Sequence, residues 1–138
     1  MIDIDVIYEG ELHCSATHRP SGAELATDAP LDNQGRGESF SPTDLVATAL
    51  GTCMATVMGI QSRQRNLPIQ GAKLNVKKFM TTSQPRRIAK LAVRIEMPES
   101  TRELDAKTRG ALEHAANTCP VRLSVLEAID VPVEFVWP

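Results

Sequence analysis

Between Ser41 and Arg65 the chain offers one uninterrupted helical stretch of small and aliphatic residues, and that stretch limits what the rest can be. Ser41-Pro42-Thr43-Asp44 supplies an N-cap serine, a proline at the first helical position and an acid three residues after the cap. Nothing breaks the helix until Asn66-Leu67-Pro68. Ala47, Ala49, Gly51, Ala55 and Gly59 leave little side-chain bulk, so such a helix can pack closely on several sides and is expected to be buried. The 138 residues fit a single domain, 1–138, with a core that needs no disulfide staple or structural metal. One copy of so short a chain struggles to surround so long a helix. A homodimer that shares its core is therefore expected.

The flanking segments alternate with period two. Ile2, Ile4, Val6 and Tyr8 read as one face of a strand over residues 2–8, ended by Glu9-Gly10. Residues 11–17 and 22–27 give two more strands around Arg19-Pro20-Ser21-Gly22, which makes an antiparallel meander. Residues 29–40 are rich in turn formers and read as a mobile loop. After the helix, residues 71–82 and 86–97 form a hairpin through Ser83-Gln84-Pro85. Ser100-Thr101-Arg102-Glu103 is a second capping box, predicting a helix to about Asn117. Pro120 can start a short helix, and residues 131–137 close as a strand with Val131, Val133, Phe135 and Trp137 on one face. This order is α+β: antiparallel sheets and a long central helix, with no strand-helix alternation of a doubly wound sheet.

Composition narrows the function classes. Three Phe, one Tyr and one Trp are few, so the core must be built from Ala, Val, Leu, Ile and Met. The formal charge of −2 gives no long-range attraction to a phosphate backbone, and no nucleic-acid partner is expected. The sequence Met1-Ile2-Asp3-Ile4-Asp5 is unlike a secretion signal, and no apolar run reads as a membrane span. The expectation is a cytoplasmic protein. Three cysteines, an odd count, fit a reducing compartment, where any disulfide is transient and chemical.

Two of those cysteines stand in unusual contexts. Cys53 lies roughly 18 Å into the helix at ~1.5 Å per residue, too far for the helix dipole to reach it. With Val46, Leu50, Val57 and Ile60 it forms an apolar stripe, and left alone it would be buried and inert. Activation would need a cation from elsewhere, Arg19 from the turn between two strands or Arg36 from the loop before the helix. Cys119, just before Pro120, would be an N-cap, where free amides favour a thiolate. Local sequence ranks it the more acidic thiol. A plain helix junction at Cys119-Pro120 is the simpler alternative. Cys14, on a strand between His13 and Ser15, has neither device and reads as a bystander.

Ser41-Pro42-Thr43-Asp44-Leu45, Ala47-Thr48-Ala49-Leu50-Gly51-Thr52-Cys53 and Cys119-Pro120-Val121 together resemble the osmotically inducible protein C and organic hydroperoxide resistance (OsmC/Ohr) superfamily over nearly the whole chain. The resemblance implies an intertwined α+β homodimer and a thiol peroxidase that reduces organic hydroperoxides. It implies that Cys53 attacks the peroxide, becomes a sulfenic acid and is resolved by Cys119 as a disulfide, with an external lipoyl-type dithiol as reductant and no cofactor. By motif the catalytic set is Cys53, Cys119 and Arg19, which reverses the ranking from local dipoles. The chain departs from the pattern at three places. Thr43 stands where peroxidase members carry a glutamate, with Asp44 one residue later; Arg122 replaces the usual serine after Cys-Pro-Val; and Arg19 matches only approximately. The alternative implied by the missing glutamate is a non-peroxidatic member that binds a small apolar ligand or senses redox state at the dimer groove.

Other constellations are weaker. His13, His18, His114 and the cysteines lack zinc-ligand spacing, and no metal is expected. No nucleophile elbow or phosphate-binding glycine loop is present in the sequence. Lys73, Lys77, Lys78, Arg86, Arg87, Lys90 and Arg94 cluster on the expected hairpin, either as a solvated, aggregation-resisting face or as a docking surface for an acidic partner.

Overall fold

The N-terminal alternation folds as an antiparallel meander in the computed structural model, which describes residues 1–138. Strands β1 (Ile4–Gly10), β2 (His13–His18) and β3 (Ala23–Asp28) pair in chain order, with Ile4 opposite His18 and His18 opposite Ala23. β2 begins two residues later than the sequence suggests, because Gly10, Glu11 and Leu12 all take positive φ (93°, 50° and 63°) to make the turn. The following loop is tied down. Asp28, almost fully buried, accepts the Glu38 N–H through Oδ2 at 3.0 Å, and its own N–H donates to the Phe40 carbonyl at 3.1 Å. Gly35 crosses so close to the Ala29 carbonyl that a Cβ would lie 1.7 Å from its oxygen. The chain divides into two units, Met1–Val46 and Ala47–Pro138.

Helix α1 (Pro42–Arg65) starts at the capping box read from sequence. Ser41 Oγ accepts the Asp44 N–H at 3.2 Å, and Asp44 Oδ2 accepts the Ser41 N–H at 2.8 Å and its hydroxyl at 2.7 Å. It stops where Asn66 turns left-handed (φ 53°) and the Leu67 N–H returns to the Ser62 carbonyl at 3.0 Å. The buried row is Ala47, Leu50, Gly51, Met54 and Met58, a single face, so burial on several sides does not hold within one chain. Of the stripe expected through Val46, Leu50, Cys53, Val57 and Ile60, Leu50 is fully buried while the others lie along the flank, with Ile60 53% exposed. Against expectation, α1 is also long and apolar enough to cross a membrane, with mean hydropathy 1.4 over its best window. Its Leu50, Met54 and Met58 are fully enclosed by the folded core, which is what a core helix does.

That core belongs to the second unit. β4 (Lys73–Met80) and β5 (Ile88–Glu96) form the expected hairpin, and the Thr81 N–H donates to the Arg87 carbonyl at 2.8 Å across its loop. β6 (Val133–Val136) joins β5 in parallel, so this sheet is mixed where an antiparallel one was expected. The intervening helices carry the chain back to the same end of β5, the usual cause of parallel pairing. Leu50, Met54, Met58, Leu91, Ile95 and Leu112 are fully buried together, an aliphatic and methionine core as composition required. Gly51 lets Val76 of β4 approach α1; a Cβ there would sit 3.0 Å from Val76 Cγ2.

The second helix starts later than the sequence suggests. Residues Glu99–Thr101 make a 3-10 turn, because Thr101 spends its hydroxyl on the Pro98 carbonyl (2.7 Å) and Ser100 on the Pro68 carbonyl (2.7 Å). α2 (Ala106–Asn117) is capped by Asp105, whose Oδ1 accepts the Thr108 N–H at 2.7 Å. That bond and the Thr108 hydroxyl hold the Asp105 carboxyl below its ordinary range. α3 (Pro120–Ser124) follows directly. The tail packs by Val131, Val133, Phe135 and Trp137, as their alternation indicated, and Trp137 Nε1 donates to Glu113 Oε1 on α2 at 2.9 Å.

Candidate functional site

Three elements of the second unit converge on two sulfurs. Cys53, in the middle of α1, sits half-buried on the flank of the buried row and packs against the aliphatic core. Cys119 is fully buried at the junction of α2 and α3. α2 ends there because the Thr118 N–H already reaches back to the His114 carbonyl (3.0 Å), and Pro120 has no N–H to continue the ladder. The break leaves Cys119 extended (φ −65°, ψ 150°) as the N-cap of α3, its Sγ accepting the Arg122 N–H at 3.4 Å. This arrangement follows from Cys-Pro in sequence. What sequence does not carry is the neighbour: Cys53 of α1 is the side chain that acts on the Cys119 thiol, and the two belong to one packed cluster. Both are free thiols.

The electrostatics of the pair correct the ranking by local dipoles. Burial pushes the Cys119 thiol above its ordinary value, and the negative charge and hydrogen bond of Cys53 push it further the same way. The amides of Arg122 and Val121 pull it down without prevailing. A one-turn helix is too short to offset the loss of water around a sulfur with no exposed surface. Cys119 thus holds its proton more tightly than an ordinary cysteine. Two neighbouring thiols can close to a disulfide when an oxidant takes two electrons from them.

The other expected residues lie in the first unit, Met1–Val46. Arg19, next to the end of β2, pairs its Nε with Asp5 Oδ2 at 2.5 Å, and its N–H donates to the Asp3 carbonyl. Its side chain is well exposed, as is Arg36 in the loop before α1. Cys14 is half-buried in β2 opposite Tyr8 and Thr27. Asp5 was not singled out from sequence, although its alternation on β1 places it in register with Thr17, two residues from Arg19. Thr43 Oγ1 lies 3.2 Å from Ser41 Oγ, and Asp44 serves the cap, so the turn at the helix start is built from short side chains.

Comparison with known proteins agrees with this geometry. The family model for OsmC-like protein matches residues 35–134, which include both cysteines. The chain belongs to the OsmC/Ohr superfamily. A crystal structure of an osmotic stress induced and detoxification response protein from Psychrobacter arcticus 273-4 is 42% identical, covers 99% of this chain and 96% of its own, and superposes with a TM-score of 0.90. An organic hydroperoxide resistance protein OsmC from Legionella pneumophila (13% identity, 98% and 96% covered, TM-score 0.76) has the same fold. So does the organic hydroperoxide resistance protein OhrB of Bacillus subtilis (15% identity, 99% and 98% covered, TM-score 0.70). No curated protein sequence matches the chain.

Proposed function

We propose that this OsmC/Ohr protein is a thiol peroxidase for organic hydroperoxides, with Cys53 as the peroxidatic and Cys119 as the resolving cysteine. The observation that carries the reading is that Cys53 and Cys119, sixty-six positions apart in sequence, are neighbours in one aliphatic core. The Cys53 thiolate attacks the distal oxygen of R–O–O–H, the O–O bond breaks, and the alkoxide takes a proton and leaves as alcohol. Cys53 is then a sulfenic acid. Cys119 then attacks that sulfur; the S–S bond forms and the hydroxyl leaves as water with the Cys119 proton. An external dithiol restores both thiols by exchange and is itself oxidised to a disulfide. Cys53 and Val57 are half-buried against the aliphatic core, and apolar surroundings favour an alkyl or aryl peroxide over hydrogen peroxide.

Arg19 is assigned the activation of Cys53 on the family motif alone. The protein is assigned a homodimeric state, because β1 leaves Ile4, Val6, Ile7 and Tyr8 between 61% and 64% exposed and α1 leaves Ile60 open. Mixing reduced protein with cumene hydroperoxide and counting free thiols tests the reading. The expected result is loss of two thiols per chain within seconds and an intramolecular Cys53–Cys119 disulfide by mass spectrometry. Thiols that stay reduced over minutes would refute it.

One observation favours a second reading. The helix start holds Thr43 and a capping Asp44 where peroxidase members hold a glutamate, which fits a redox sensor or apolar-ligand binder. That reading predicts disulfide formation only under strong oxidant, and no turnover with a dithiol.

A further inference from the structure

The second unit places four basic side chains in half-buried positions, Lys78, Lys90, Arg109 and Arg122. Three of them are engaged. Lys90 pairs with Asp130 at 3.6 Å. Arg109 donates to the Leu104 and Arg102 carbonyls at 3.0 and 2.7 Å and lies 5.0 Å from the centre of the Trp137 ring, and Lys78 is held as well. Arg122 is the exception: its backbone N–H donates to Cys119 Sγ, but its guanidinium has neither an ion pair nor a hydrogen bond. A guanidinium that has lost part of its water without gaining an acceptor is an incomplete arrangement, which an incoming anion would complete.

Helix α3 fixes where that cation stands relative to the thiols. Arg122 is three residues beyond the capping Cys119, and residues so spaced share a helix face, with stems that lean toward the N-terminal end. Val121, next to it, packs against the core cluster that contains both sulfurs and so anchors the turn. Leu123 and Leu126, the next leucines along the chain, are 71% and 69% exposed, which provides apolar surface beside the charge. Residues 119–130 hold no other basic residue and two acids, Glu127 and Asp130, of which Asp130 already holds Lys90. One guanidinium matches a monoanion such as a carboxylate; a phosphate dianion or a polyanion calls for more positive charge than this turn offers. Arg122 also stands where the superfamily motif has a serine, so the charge distinguishes this chain from the motif.

We propose that Arg122 is a specificity residue that seats the carboxylate of an organic hydroperoxide, so that this protein prefers anionic hydroperoxides to neutral ones. The reaction rests on the peroxidase reading; the preference rests on Arg122. The carboxylate is a spectator. Cys53 and Cys119 supply both electrons, the O–O bond breaks as above, and the product is an alcohol that keeps its carboxylate. Ion pairing at a half-buried site acts on binding, so the preference belongs in KM and weakens with salt.

The test compares cumene hydroperoxide bearing a para carboxylate with its methyl ester, using dithiothreitol as reductant. The full-length native, Arg122→Gln and Arg122→Lys proteins are used, each checked for its melting temperature. The native protein should favour the acid by about fivefold or more in kcat/KM at low salt. Arg122→Gln should remove the preference by raising the KM of the acid toward that of the ester, and Arg122→Lys, which keeps charge without the planar fork, should restore part of it. Binding of para-isopropylbenzoate and its methyl ester to reduced protein, followed by NMR shifts, supplies a readout without turnover. Absence of turnover with either peroxide would refute the peroxidase reading, while the benzoate would still report on Arg122. An acid-to-ester ratio near one in the native protein overturns the proposal without any variant. So does equal benzoate binding by native and Arg122→Gln proteins, a loss shared equally by acid and ester, or a change of oligomeric state on substitution.

Discussion

Cys119 caps α3 through the Arg122 N–H and has Cys53 as a neighbouring thiol. Serine is nearly isosteric and a better cap, so Cys119→Ser should melt within a few degrees of the native protein yet accumulate a Cys53 sulfenic acid that dimedone traps after peroxide. A variant that still forms an intramolecular disulfide would remove Cys119 from the mechanism. The same residue sets a pH dependence. Its thiol holds its proton to higher pH in the folded chain than in the unfolded one, so between those two values the native state binds more protons. The stability it contributes is complete below the ordinary cysteine range and is lost as pH rises through the raised value. Urea unfolding of reduced protein should show an alkaline decline that Cys119→Ser flattens. Arg19 is anchored on an exposed ion pair worth about 0–1 kcal/mol, so Arg19→Met should barely change stability. It should slow peroxide reduction tenfold or more in stopped-flow thiol oxidation, and an unchanged rate would return the activating role to Arg36.

At the scale of elements, agreement and disagreement with sequence reading have separable causes. The start of α1 was legible because Ser41, Pro42 and Asp44 all act locally, within one turn of chain. The start of α2 was not. Ser100 and Glu103 have the same spacing, but Ser100 is drawn away to Pro68, thirty-two residues distant, and the helix waits for Asp105. Asp105→Ala should therefore cost about 1 kcal/mol in chemical denaturation, while Ser100→Ala leaves the α2 start intact in amide exchange. The parallel pairing of β6 was equally hidden, since alternation in Val131 to Trp137 reports which face is buried and says nothing of strand direction.

For the molecule as a whole, the length of α1 against the length of the chain was the strongest sequence argument, and the fold bears on it in a specific way. One row of α1 is enclosed by the second unit, and its flank and the first-unit sheet leave large apolar side chains open. Sedimentation equilibrium should give a dimer at micromolar concentration, and Ile7→Asp should shift it toward monomer with loss of thermal stability. A monodisperse native monomer would contradict the shared-core reading.

The sequence by itself determined the elements and the apolar composition of the core, because capping, alternation and helix breaking act between near neighbours. It also marked Cys53 and Cys119 through their motifs. Only the tertiary structure decided that the two thiols are neighbours, and that burial outweighs the cap at Cys119. Desolvation and the influence of a neighbouring thiol depend on what surrounds a residue in space, and for Cys119 that thiol comes from a helix encoded more than fifty residues earlier.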